Sequence, residues 1–156
     1  MNWIFCFSLA CFVFGAGSAV SAEKKIPTIL GSWVTEDSAS IVKIRSCSRS
    51  VCGDIVWLKE PNDKQGIPWT DTQNPKTDLQ ARPILGLTIL SGLNEDGPGI
   101  WKNGKIYDPN SGNTYACRAI LVSEDKLELR GYVLNPLFGR SEMWVRVVSE
   151  PGKRIP

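Results

Sequence analysis

The chain has 156 residues, room for one domain, and its 18 basic and 16 acidic side chains are interspersed to a net charge of +2. No basic run or stripe appears, which argues against a nucleic-acid partner. Histidine is absent, and with it go a Ser-His-Asp triad, a Cys-His pair and any His-ligated metal.

The chain opens on a processing signal rather than on fold. Trp3 to Phe14 is apolar apart from Ser8, and small residues follow as far as Ala22, just before the first charge at Glu23. This reads as a signal peptide over residues 1–22, cut after Ala22, which sends residues 23–156 to the periplasm or outside the cell. The run lacks a basic start, and Lys24-Lys25 follow it. The alternative is therefore an uncleaved segment, the one route by which the chain would be held at a membrane. Cys11 is poorly placed for a lipoprotein signal.

Residues Glu23 to Gly31, with Pro27, form a leader. Strands are expected over Ile29–Thr35, Ser40–Arg45 and Val51–Leu58, from β-branched and aromatic runs separated by turn residues. Cys47 and Cys52 flank the turn between the second and third. A metal site would need a second cysteine pair, so in an oxidising compartment the two read as a disulfide. Cys117 is then left over and reads as a buried thiol.

Glu60 to Arg82 is long and polar, punctuated by Pro61, Gly66, Pro68 and Pro75. It reads as a lid or rim, with Thr77 or Asp78 capping one short helical turn. Strands resume over Leu85–Leu93. Ile100–Lys102 and Lys105–Asp108 flank Asn103-Gly104, the pair that best fits a type I′ hairpin turn. Tyr115–Val122, Leu127–Val133 and Ser141–Val148 complete the set, with Asp108–Gly112 and Asn135–Gly139 as connections. About eight short strands without helical periodicity give an all-β barrel or sandwich.

Gly31-Ser32-Trp33 opens the first strand and Trp144-Val145-Arg146 closes the last. In a closed barrel these strands are neighbours, so Arg146 can stack on Trp33, an attraction worth about 0.5–2 kcal/mol. The arrangement resembles the Gly-x-Trp motif and paired basic residue of lipocalins and related barrels. A broader resemblance runs from Gly31 to Val147. It is carried by Cys52-Gly53-Asp54-Ile55-Val56-Trp57-Leu58-Lys59-Glu60-Pro61, Arg82-Pro83-Ile84-Leu85-Gly86-Leu87, Ile106-Tyr107-Asp108-Pro109, Tyr115, Arg130-Gly131-Tyr132-Val133, Leu137-Phe138-Gly139-Arg140 and Trp144. In these the chain is similar to the bacterial exported family named domain of unknown function 2147. The resemblance implies a single up-and-down, lipocalin-like antiparallel barrel in a periplasmic or secreted protein, and it implies no activity.

The leading expectation for function is a non-enzymatic binding protein, holding one small hydrophobic or amphipathic ligand inside the barrel. Trp57, Leu87, Tyr107, Tyr132, Trp144 and Arg146 are the candidate contacts, with Trp33 and Arg146 also closing the barrel. Arg118 and Arg130 are expected outside, because Tyr115, Cys117, Ala119, Leu121, Leu127 and Leu129 claim the inner face. A protein-binding module is the alternative, either an envelope-interaction barrel or a protease inhibitor that inserts Glu23–Thr28. An enzyme would have to use Asp71 with Asp78, or Asp54 with Glu60, as acid and base, and no motif supports either pair. No cofactor and no metal are expected.

Overall fold

The computed structural model describes residues 28–147. The expected signal peptide, with Cys6 and Cys11, lies outside these residues, as do residues 23–27 of the leader. Eight antiparallel strands close into one up-and-down barrel, each bonded to its neighbours in sequence. They are β1 Gly31–Val34, β2 Ser40–Cys47, β3 Ser50–Leu58, β4 Thr88–Glu95, β5 Ile100–Asp108, β6 Asn113–Ser123, β7 Lys126–Tyr132 and β8 Gly139–Arg146. One 3-10 turn, Thr77–Leu79, lies in the long β3–β4 connection, which we call the strap. Lys76 occupies its N-cap, and no side chain caps it.

Two sequence expectations fail: Thr77 and Asp78 lie within the 3-10 turn rather than capping it, and the hairpin at Asn103-Gly104 is absent. Asn103-Gly104 is no hairpin turn, because β5 runs straight through it from Ile100 to Asp108. Asn103 has a φ of 61°, and the β5–β6 register shifts between Trp101 and Gly104. The left-handed residue that would have made a turn makes a β-bulge instead. Gly104 follows on the inner face, where a Cβ would lie 2.5 Å from Leu93 and 3.0 Å from the Cys117 sulfur.

Alternation along the strands sorts side chains to two faces. The inner face carries Trp33, Val42, Ile44, Ile55, Leu90, Leu93, Trp101, Cys117, Ala119, Leu127, Leu129 and Trp144, all buried in one cluster. Gly53 belongs to the same layer, and a Cβ there would meet Val42 at 2.9 Å and Leu90 at 3.0 Å. At these levels the interior is packed so closely that a methyl group finds no room.

The two ends differ. One is formed by the start of β1, the end of β8 and the β2–β3, β4–β5 and β6–β7 hairpins. There Arg146 stacks 4.1 Å from the Trp33 ring centroid and donates to the carbonyls of Thr28, Leu30 and Glu124. Trp33 Nε1 donates to the Ile29 carbonyl, which tucks Ile29 beneath the stack. Burial depresses the Arg146 pKa, opposed by Glu124 and Asp125. At the same end Cys47 and Cys52 form a disulfide across the β2–β3 hairpin, 5.8 Å between Cα atoms.

The opposite end is the mouth, rimmed by the β1–β2 turn, the strap, the β5–β6 turn and the β7–β8 loop. It displays apolar side chains. Leu134, 94% exposed at a positive φ of 64°, stands with Val133, Leu137 and Phe138 in the β7–β8 loop, and Ile67, Trp69 and Leu85 are exposed on the strap.

Candidate functional site

The strap does not hang free. Trp69 and Ile84 are joined by a backbone bond and Thr70 bridges Pro83, so residues 71–82 form a closed loop. That loop folds down the outside of the barrel onto β4, β5 and β6. Its anchor is Asp71, which is fully buried. The Tyr107 hydroxyl donates to one carboxylate oxygen at 2.6 Å. The other accepts from Asn74 Nδ2 at 2.8 Å and from Arg82 Nε at 2.8 Å, with the Arg82 terminal nitrogen at 2.7 Å. Asn74 also reaches the Tyr107 oxygen at 3.0 Å, and the Arg82 guanidinium lies 5.6 Å from the Tyr107 ring centroid.

Desolvation is the largest influence on Asp71 and acts to raise its pKa. The donors Tyr107, Asn74 and Arg82 together outweigh it, so the carboxyl titrates below the ordinary carboxylate value. Burial, followed by the Asp71 carboxylate, raises the Tyr107 pKa. Asp71 is therefore a buried anion satisfied on both oxygens, with no proton to exchange near neutrality. Gly112 completes the seat. Its φ is +70°, and a Cβ there would collide with the Gln73 carbonyl oxygen of the strap.

Between strap and wall lies a cleft of about 280 Å³. Its floor is the outer face of three strands. Ser91 stands opposite Lys105 on the β4–β5 ladder, and Tyr107 opposite Thr114 on the β5–β6 ladder. Thr88 and the buried Ile89 complete the floor, while Asn74, Pro75, Lys76, Leu79 and Arg82 form the roof. Among the described residues no group of three or more His, Cys, Asp and Glu side chains could hold a metal ion.

The residues singled out from sequence are dispersed. Trp33 and Arg146 meet at the closed end, and Cys47 bonds Cys52. Trp57 is half-buried on β3 near the mouth, and Leu87 is buried where the strap rejoins the barrel. Trp144 is buried inside, and its indole donates to Glu142, a half-buried inward carboxylate that sequence reading overlooked. Tyr107 and Tyr132 belong to the outer wall. Ile106 and Gly131 face each other across the interior, so the residues that follow them point outward, and neither tyrosine can line an interior ligand. Arg118 and Arg130 are directly opposite each other on β6 and β7, on that outer face.

The acid–base pairs fail as pairs. Asp71 is locked to Arg82, while Asp78 is exposed in the 3-10 turn. Asp54 pairs with Arg45 at 2.6 Å, while Glu60 is exposed beyond the end of β3. Cys117 is buried on the inner face, and desolvation pushes its thiol pKa to about 12. It is no nucleophile at neutral pH.

The family model described as "Uncharacterized protein conserved in bacteria (DUF2147)" matches residues 31–146, from the first residue of β1 to the last of β8. The chain belongs to the DUF2147 family. The strap and its cleft fall inside the matched region, so they are part of this DUF2147 domain. Among solved structures, the chain is similar to protein HP1028 of the human pathogen Helicobacter pylori, which is described as belonging to the lipocalin family. The TM-score is 0.70 and the identity 23%, over 83% of this chain and 92% of that one. At that identity the likeness concerns the fold, and it shows the DUF2147 barrel to be lipocalin-like. A search of curated proteins finds no match.

Proposed function

We propose that the protein is a non-enzymatic binding protein, and that its small-molecule site is the strap cleft rather than the barrel interior. One contrast carries this reading. Inside, the packing leaves no room for a Cβ at Gly53 or Gly104, whereas outside the wall there is a concavity of about 280 Å³. Mixed polar and apolar walls of this kind suit a small amphipathic molecule. The Asp71 network supports the reading, since it fixes the roof over the floor before any ligand arrives. We place this activity in the periplasm or outside the cell, supported by the Cys47–Cys52 disulfide, because such bonds persist in oxidising compartments.

Native mass spectrometry of protein purified from its own host tests the site. A small co-purifying mass is expected, and it should vanish in Thr114→Trp, which fills the cleft. A mass retained by that variant, or none in the parent, overturns the reading. The same spectra test export, for which loss of residues 1–22 and of two hydrogens for the disulfide is expected.

A second reading is a protein-docking module. Val133, Leu134, Leu137 and Phe138 favour it, since four exposed apolar side chains in six residues are more than a monomer ordinarily gathers in one loop. Leu134→Ser with Leu137→Ser should then abolish a partner's binding without changing the barrel's melting temperature. Binding that survives both substitutions would exclude the loop.

A further inference from the structure

The charges around the cleft have one sign. Lys76, Lys105 and Arg82 line it, and no aspartate or glutamate does, although the chain is nearly balanced at 18 basic to 16 acidic residues. Arg82 is already neutralised from behind by Asp71. Lys76 and Lys105 make no ion pair among the described residues, unlike Arg45 and Lys102, which face Asp54 and Asp96. Ser91 stands opposite Lys105 and Thr114 opposite Tyr107, and neither hydroxyl makes a hydrogen bond to protein among the described residues. Thr88, by contrast, is committed to Asp54. The cleft thus holds one free ammonium group on its roof, from Lys76, and on its floor the Lys105 ammonium with two free hydroxyl donors. Leu79 from the roof and Ile89 from the floor supply apolar surface.

We propose that the cleft selects small molecules bearing an oxyanion head, a carboxylate or a phosphate, held by Lys76 and Lys105 with Ser91 and Thr114 donating. The apolar part of the ligand lies against Ile89 and Leu79. This rests on the cleft being the binding site. Lysines on an open surface are ordinarily solvated and bind nothing. Here a packed floor and a roof pinned through Asp71 set two such lysines on the walls of one concavity, so a single head group can draw a charge-assisted hydrogen bond from each.

Four eight-carbon probes test it by amide shift mapping on isotope-labelled protein: octanoate, octyl phosphate, 1-octanol and octyltrimethylammonium. Octanoate and octyl phosphate should shift Ser91, Lys105 and Thr114, and the stronger of the two identifies the head group. Each of Lys105→Gln and Lys76→Gln should weaken that binding about tenfold, the loss of one hydrogen bond to a charged group. An unchanged strand amide pattern in the variants shows that the fold is intact. Equal cleft shifts from 1-octanol or octyltrimethylammonium, or undiminished affinity in both variants, overturn the oxyanion inference and leave the cleft standing as a site. Cleft amides silent to all four probes overturn both.

Discussion

Replacing Asp71 with asparagine keeps the shape of the strap's anchor and removes its charge. The carboxylate accepts from Tyr107, from Asn74 and twice from Arg82. A carboxamide keeps one acceptor oxygen and turns an NH2 group toward the remaining donors. Hydrogen bonds to a charged group are each worth about 1.5–3 kcal/mol, but Arg82 is 36% exposed and can turn to water, which discounts its share. We expect a net loss of about 2–3 kcal/mol at pH 7. The pH dependence follows from the depressed Asp71 pKa. Because the folded value lies below the unfolded one, the contribution is complete above about pH 5 and is lost as pH falls through the folded value. The gap between parent and Asp71→Asn should therefore be widest near neutrality and close in acid. Urea unfolding at a series of pH values measures it, and hydrogen exchange at Ile84 and Asp71 shows whether the strap loosens first. A gap below about 0.5 kcal/mol at pH 7, within the range of ordinary surface substitutions, would refute the anchoring role. So would a gap that persists unchanged in acid.

Arg146→Ala should destabilise by about 2–4 kcal/mol, because it removes the stack on Trp33 and three donations to carbonyls, and urea midpoints followed by tryptophan emission report it. Arg146→Lys should recover only part of the loss, since one ammonium cannot span all three carbonyls. Gly104→Ala should cost about 1–3 kcal/mol by overpacking against Leu93 and Cys117, and a neutral result in thermal melts would mean that the inner layer is loose. Cys117 should resist a thiol reagent in native protein at pH 8 and react only on unfolding, in keeping with a thiol pKa pushed to about 12.

The barrel was legible because its strands alternate and its ends carry a matched pair. Trp33 and Arg146 are 113 positions apart in sequence yet directly opposite in the β1–β8 register, and the motif on each announced the other. Asn103-Gly104 misled because an Asn-Gly pair supplies a left-handed residue without saying whether a turn or a bulge uses it. Tyr132 could have been placed outside from sequence, since it falls out of step with Leu127 and Leu129. The cleft could not have been foreseen. Asp71 and Tyr107 meet across 36 positions, from a loop without periodicity, and no spacing rule connects them. In the sequence Asp71 stands out only as a candidate acid–base partner of Asp78, whereas its burial is created by the strap that it secures.

Both ends of the barrel chain leave from the same side. β1 begins and β8 ends beside Arg146, on the face opposite the mouth and its strap. Residues 28 and 147 therefore both lie at the base of the barrel, at the end opposite the mouth. Tension applied across residues 28 and 147 would load the Arg146 stack before it reached the strap.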